Sequence, residues 1–242
     1  MSLSDYYSVD GTDLHITPEQ ASDFAKSVAG DFNPLHDPDN RRFCVPGDLL
    51  FSVLLQRYGI SQDMRFRFSG MVGAGDTLQL EDDPGDAFDL CDASGKAYLS
   101  VERSGEVSKD QKLIERLACN YVTFSGQNFP HILVPLLKEQ GVMVNIDRPM
   151  VIYESMAFKL QRLDIPNVAL RLAESSMKAQ GRRGEVLLSF EFLCGDNVVG
   201  TGCKRLVLGG LKPYEQEGMD KLVDVYVARR DSYQSSGNSS CT

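Results

Sequence analysis

The chain has 242 residues, of which 42% are hydrophobic and 24% are charged, and its formal net charge is −9. Such a composition predicts a folded protein with one large domain or two small ones. The acidic balance disfavours nucleic acid or an anionic membrane as the main partner, because both need a basic protein surface. Four basic pairs could each bind one phosphate, but we favour their interpretation as solvated surface charge: Arg41–Arg42, Arg65 with Arg67, Arg182–Arg183 and Lys204–Arg205.

The chain carries no signature of a metal site, a disulfide framework or a targeting segment. Its six cysteines form no CxxC pair and lie mostly in apolar segments, so we interpret them as reduced and structural. Residues 1–13 are polar and acidic, and the longest apolar runs are too short to cross a bilayer. We expect a cytoplasmic protein that needs no metal and no cofactor.

Two helices are predicted in the first part of the chain. The first begins after Thr17, with a proline at its first position and Gln20 completing a capping box. Gly30 is a natural end for this helix, which places Asp31 just beyond it. The second helix starts near Pro46 and closes at Gly59, and its apolar residues occupy more than one face.

Strand patterns and a second round of helix and sheet follow. Residues 64–107 alternate apolar and polar side chains between Gly-Asp turns, which predicts an antiparallel meander. After a polar bridge at 104–113, a helical stretch at 113–140 precedes strands at 150–211. A last helix is expected at 219–228 and a flexible tail at 232–242. This order predicts three units: residues 1–107, residues 113–212, and a helix with its tail at 213–242.

Residues 27–36 contain the clearest sign of chemistry, with the sequence Ser-Val-Ala-Gly-Asp-Phe-Asn-Pro-Leu-His. The carboxylate of Asp31 can take a proton from water, and His36 titrates near neutral pH. The Asn33–Pro34 bend lets these side chains converge. Residues 125–131 resemble a worn copy of this segment, but Gln127 replaces the carboxylate, so we interpret Gln127 and His131 as structural.

A long helix wrapped by an antiparallel sheet, present twice, predicts an α+β double hotdog. The motif resembles that of MaoC-like (R)-specific enoyl-CoA hydratases, which runs approximately Ser-Gly-Asp-x-Asn-Pro-x-His. The matching segments are residues 29–36, then Pro-Gly-Asp at 46–48, then Ala-Gly-Asp-Thr-Leu at 74–78. The resemblance covers residues 17–107, and the second half is similar only in the order of its elements.

The resemblance implies reversible addition of water to the double bond of a trans-2-enoyl thioester of coenzyme A or a carrier protein. Asp31 matches the carboxylate that deprotonates water, and His36 matches the imidazole that orients it. Asn33 matches a residue that supports the loop. Gly47, followed by Asp48 in the substrate site, matches the glycine whose N–H polarises the thioester carbonyl. A helix start suits this role because its N–H groups are unpaired and its dipole end is positive.

Three positions depart from the family pattern and leave other functions open. Ala29 replaces serine, Pro46 replaces histidine, and Asp48 stands where methionine is usual. An ionised Asp48 would oppose negative charge on the thioester oxygen. One alternative is therefore a non-catalytic acyl-thioester binding protein, and another is a hotdog thioesterase. The two halves are expected to close into a pseudo-dimeric monomer or to pair further as a homodimer.

Overall fold

The computed structural model describes residues 3–146 and 148–235. Helix α1 spans Pro18–Asp23 and continues as a turn of π-helix, Phe24–Ala29. Both hydrogen bonds of the predicted capping box between Thr17 and Gln20 are present. Gly30 ends the helix in the left-handed conformation, with φ of 66°. The local sequence rules therefore determine where this helix begins and ends.

The other helices lie between the strands and after them. Helix α2, Gly47–Tyr58, begins after Pro46 and ends at Gly59 as predicted, and most of its side chains are buried. The remaining helices are α3 (Gln111–Gly126), α4 (Asn128–His131), α5 (Leu133–Glu139) and α6 (Gln216–Ser235). The helical stretch expected at 113–140 is present but is divided into α3, α4 and α5, and Phe129 has non-helical dihedral angles inside it.

Ten strands of the described residues form one antiparallel sheet. In the first half they are β1 (Ser8–Asp10), β2 (Asp13–His15), β3 (Ile60–Phe68), β4 (Thr77–Gln79), β5 (Ala87–Asp92) and β6 (Ala97–Ser108). In the second half they are β8 (Met150–Leu160), β9 (Ala169–Gln180), β10 (Arg183–Cys194) and β11 (Asn197–Gly209). Two short strands, β7 (Val142–Met143) and β12 (Lys212–Pro213), pair separately.

The two halves meet in the middle of the sheet. The strand order is β1-β2-β4-β5-β6-β3-β8-β11-β10-β9, and β3 pairs with β8 with Phe66 opposite Met156. Helices α2 and α3 lie in a common core with side chains of β3, β8 and β10, while α5 covers a smaller core of the second half. The chain is an α+β double hotdog, as the sequence predicted. Its division into the three predicted units stays a prediction.

The structure differs from the sequence predictions for residues 104–113 and for the C-terminal tail. The polar segment 104–113 is not a bridge, because β6 continues to Ser108 and α3 starts at Gln111. Its backbone is ordered by pairing with β3, which composition does not reveal. Residues 232–235 belong to α6 rather than to a flexible tail, and residues 236–242 lie outside the described residues. No helix within the described ranges is long and apolar enough to span a membrane.

Candidate active site

The loop after α1 consists of two successive turns in which a side chain accepts a hydrogen bond from the backbone ahead. Asp31 Oδ1 accepts from the N–H of Asn33 at 2.9 Å, and Asn33 Oδ1 accepts from the N–H of Leu35 at 3.1 Å. Asp and Asn favour such turns because their short side chains reach the backbone two residues on. The first bond fixes the Asp31 carboxylate and turns its Oδ2 towards His36.

Both ring nitrogens of His36 lie near an oxygen atom. Its Nδ1 lies 2.8 Å from the carbonyl oxygen of Cys44, which can only accept, so Nδ1 carries a proton. Its Nε2 lies 3.6 Å from Oδ2 of Asp31, and the two side chains are 11% and 30% exposed. The structure thus brings together the pair that the motif singled out. At this separation, a water oxygen to one side of the line that joins the two atoms would be within hydrogen-bond reach of both.

The surroundings of His36 favour its charged form. Burial of the ring lowers its pKa, but the hydrogen bonds to Cys44 and the neighbouring carboxylate of Asp31 outweigh burial and raise the pKa to about 9. His36 is therefore a cation at neutral pH. Its Nε2–H can donate a proton into the space beside Asp31.

We expect the stability of the protein to fall at alkaline pH because of His36. The folded-state pKa of about 9 lies above the ordinary 6.5, so the folded protein binds this proton more tightly than the unfolded chain. The contribution, on the order of 3 kcal/mol, is fully present below about pH 6.5 and is lost as the pH rises through about 9. Denaturant titrations at several pH values measure it.

The control for this prediction is a second histidine. His36→Gln should remove the alkaline loss of unfolding free energy, whereas replacing the exposed His131 by glutamine should leave it as in the wild type. Parallel curves for the wild type and His36→Gln would contradict a raised pKa at His36.

A second polar cluster lies at the start of α2 and joins the two halves. Ser125, near the end of α3, donates from Oγ to Oδ2 of Asp48, and Lys204 of β11 donates from Nζ to the same Oγ. All three residues are buried, and Oδ1 of Asp48 has no hydrogen-bond partner among the described residues. Burial raises the pKa of Asp48 against the opposing effects of Lys204 and Ser125. Burial also lowers the pKa of Lys204, which Asp48 and Asp31 oppose.

Aromatic rings close the same region around the first residue of α2. A Cβ on Gly47 would lie 2.9 Å from Cε1 of Phe68 and 3.2 Å from Cδ1 of Tyr153, so only glycine lets the rings approach this closely. The two rings lie 4.4 Å apart. Nζ of Lys204 lies 4.0 Å from the centre of the Tyr153 ring, and the hydroxyl of Tyr153 pairs with that of Tyr121. The Tyr153 ring therefore lies close to both the start of α2 and Lys204.

Both polar clusters open onto one cavity of about 510 Å³ between the halves. This volume is within the range of small-molecule sites in proteins. Its walls are mainly apolar, and examples from both halves are Leu50, Phe68, Phe129, Leu133, Leu206 and Leu208. The five sequence-predicted site residues all line it: Asp31, Asn33, His36, Gly47 and Asp48. An apolar chain with a polar head therefore matches the lining.

Helix α6 packs against the loop that carries Asp31 and His36. The hydroxyl of Tyr226 donates to the carbonyl of Gly30 at 3.2 Å and accepts from the N–H of Phe32 at 3.4 Å. Arg229 forms an ion pair with Asp37, next to His36. These contacts fix both ends of the segment that carries Asp31 and His36. The sequence predicted a helix here but gave no sign of its docking site.

Sequence reasoning missed Ser125 and Lys204. The interpretation of Lys204 as solvated charge is wrong, because only 4% of the residue is exposed. Alternation along β11 carried a signal, since Lys204, Leu206 and Leu208 share one face and the two leucines are apolar. Ser125 lies at the head of the worn copy of the motif, where no local rule points to a partner 79 residues away.

The fold and the site define a double-hotdog protein whose internal cavity carries a carboxylate–imidazole pair and a buried lysine cluster. The chain belongs to the family described as "Protein of unknown function (DUF3581)", which matches residues 1–217. Nearly all of α6 lies beyond that match. No curated protein matches the chain.

Several solved structures are similar to this chain. A conserved protein of unknown function with a hot dog fold from Alicyclobacillus acidocaldarius has a TM-score of 0.46 and 8% identity, over 88% of this chain and 99% of that one. A MaoC-like dehydratase has a TM-score of 0.41 and 10% identity, over 86% and 99%. An acyl-CoA thioesterase II, TesB2, from Mycobacterium marinum has a TM-score of 0.41 and 11% identity, over 70% and 91%. Similarity at this level concerns the fold and not the activity.

Proposed function

We propose that the protein catalyses reversible hydration of a trans-2-enoyl thioester, with Asp31 and His36 acting on one water molecule. The observation that supports this most directly is the 3.6 Å separation of Asp31 Oδ2 and His36 Nε2 at the wall of an apolar cavity. One group is a carboxylate that can accept a proton, and the other is an imidazolium that can donate one. Both face the same small space.

The geometry suggests an order of proton transfers. Oδ2 of Asp31 takes a proton from the water as its oxygen bonds to C3 of the enoyl group, and the π electrons move towards the thioester oxygen. His36 then donates its Nε2 proton to C2. Transfer of the proton from Asp31 to His36 restores both groups. Atoms and charges balance with no other reactant.

In this proposal the thioester oxygen, which gains charge during the reaction, lies at the start of α2. The N–H of Gly47 is among the first of the helix and has no acceptor within it. The apolar walls from both halves would hold the acyl chain. The carrier, coenzyme A or an acyl-carrier protein, would remain on the open side of the cavity.

Thioester hydrolysis is a second candidate, and one specific observation favours it. Asp48 follows Gly47 directly, so a carboxylate lies next to the backbone group proposed to hold the thioester carbonyl. A carboxylate in this place would direct water at the carbonyl carbon rather than at C3. The same ligand would then release a free thiol.

One assay separates these reactions. The purified chain is incubated with trans-2-enoyl-coenzyme A thioesters of short, medium and long chain, while the conjugated-thioester absorbance and free thiol are followed together. We expect absorbance to fall without release of thiol. Equal thiol release would indicate a thioesterase. A flat trace together with a raised melting temperature would indicate a binding protein, because a ligand that prefers the folded state stabilises it.

A further inference from the structure

Lys204 is a buried lysine that the proposed proton transfers do not use. It lies on the cavity-facing side of β11 with Leu206 and Leu208, and only 4% of it is exposed. Removing an ammonium group from water is costly unless other groups compensate for its charge. Its position on the wall of the site therefore calls for an explanation.

The contacts of Lys204 leave capacity for a ligand. Ser125 Oγ accepts one of the three N–H bonds of Nζ, and the face of Tyr153 lies 4.0 Å from Nζ. Hydrogen bonds connect Lys204 to Asp48 through Ser125. Oδ1 of Asp48 has no partner among the residues described. A buried pair with unused donors and acceptors on a cavity wall has the properties of a polar binding site.

We propose that Lys204 is a catalytic electrophile that binds the thioester carbonyl oxygen together with the N–H of Gly47. The inference rests on the proposed function in one respect, namely that the ligand is an acyl thioester. Asp48 adjoins Gly47 in the first turn of α2, and a carboxylate at this position opposes an enolate or tetrahedral oxyanion formed there. In the proposed step Nζ of Lys204 donates a hydrogen bond to that oxygen and keeps its proton throughout. Lys204 would therefore provide the stabilisation of the thioester oxyanion that a carboxylate at position 48 weakens.

The inference is tested with a probe whose colour reports on its carbonyl. A 4-dimethylaminocinnamoyl thioester of coenzyme A absorbs at longer wavelength when its carbonyl is polarised. We expect a red shift on binding to the wild type and to Asp48→Asn. The double variant Lys204→Met/Asp48→Asn removes both members of the buried pair, so it should stay folded and bind the probe without the shift. Its hydration rate should fall about 10²- to 10³-fold.

Other results would overturn either the inference or the proposed function. If Lys204 only neutralises Asp48, the double variant keeps the full red shift and the wild-type rate. Failure of the probe to bind to the wild type would show that the ligand class is wrong. A red shift that depends on Lys204, without any turnover by the wild type, would support Lys204 while refuting hydration. Turnover by the wild type, with a red shift that does not depend on Lys204, would support hydration and refute the role of Lys204.

Discussion

Asp31→Asn is expected to lower the rate of enoyl-thioester hydration by about 10²- to 10⁴-fold, the usual contribution of a general base. The substitution replaces the proton-accepting Oδ2 by an amide nitrogen. The other oxygen remains, so the bond from the N–H of Asn33 that shapes the loop can persist. His36 can release its proton and accept from the new amide. We therefore expect a small change in the midpoint of thermal unfolding.

A matched control removes a carboxylate from another turn. Asp76 accepts from the N–H of Gly73 at 2.8 Å through Oδ2, in a Gly-Asp turn whose residues do not line the cavity. Asp76→Asn should leave hydration unchanged. If Asp31→Asn instead retains turnover, the proposed base is wrong. A large loss of thermal stability with the loss of turnover would identify Asp31 as a structural turn residue.

The parts of the fold that the sequence predicted correctly are those governed by neighbouring residues. The capping box at Thr17 and Gln20, the helix end at Gly30 and the limits of α2 each depend on a few adjacent positions. The alternation in β10 was also predictable, since Val186 to Phe192 bury every second side chain. Such signals need no knowledge of what lies across the fold.

The errors arise where distant parts of the chain decide the structure. Residues 104–108 are mostly polar, yet they continue β6 because Ile60 and Ser61 of β3 pair with them. The docking of α6 depends on Tyr226 reaching Gly30, 196 residues away. Composition of the local segment does not contain either fact.

The same distinction applies to the candidate site. Asp31 and His36 are five residues apart, so a loop motif was enough to propose them. Asp48, Ser125 and Lys204 come from α2, α3 and β11, and they meet only because the two halves close on each other. Without that contact, Asp48 looked like a carboxylate that opposes catalysis. With it, Asp48 is one member of a buried hydrogen-bonded cluster with Ser125 and Lys204.

Gly126→Ala is expected to destabilise the protein by about 3 kcal/mol, at the upper end of the usual cost of overpacking. A Cβ on Gly126 would lie 2.0 Å from the carbonyl oxygen of Ala29 and 2.8 Å from its carbonyl carbon. Both atoms belong to the backbone, so no change of rotamer relieves the contact. The helices must separate instead. Denaturant unfolding of the variant and the wild type measures the loss.

Gly85→Ala is the matched control, since a Cβ there meets nothing within 4 Å, and its unfolding free energy should stay within about 0.5 kcal/mol of the wild type. Equal stability of the two variants would show that α3 can move without cost. The position of Gly126 also ties stability to the site. Ala29 precedes the loop of Asp31, and Ser125 adjoins Gly126. Separation of these helices should therefore displace the carboxylate–imidazole pair and the lysine cluster together, and enoyl-thioester binding should weaken along with stability.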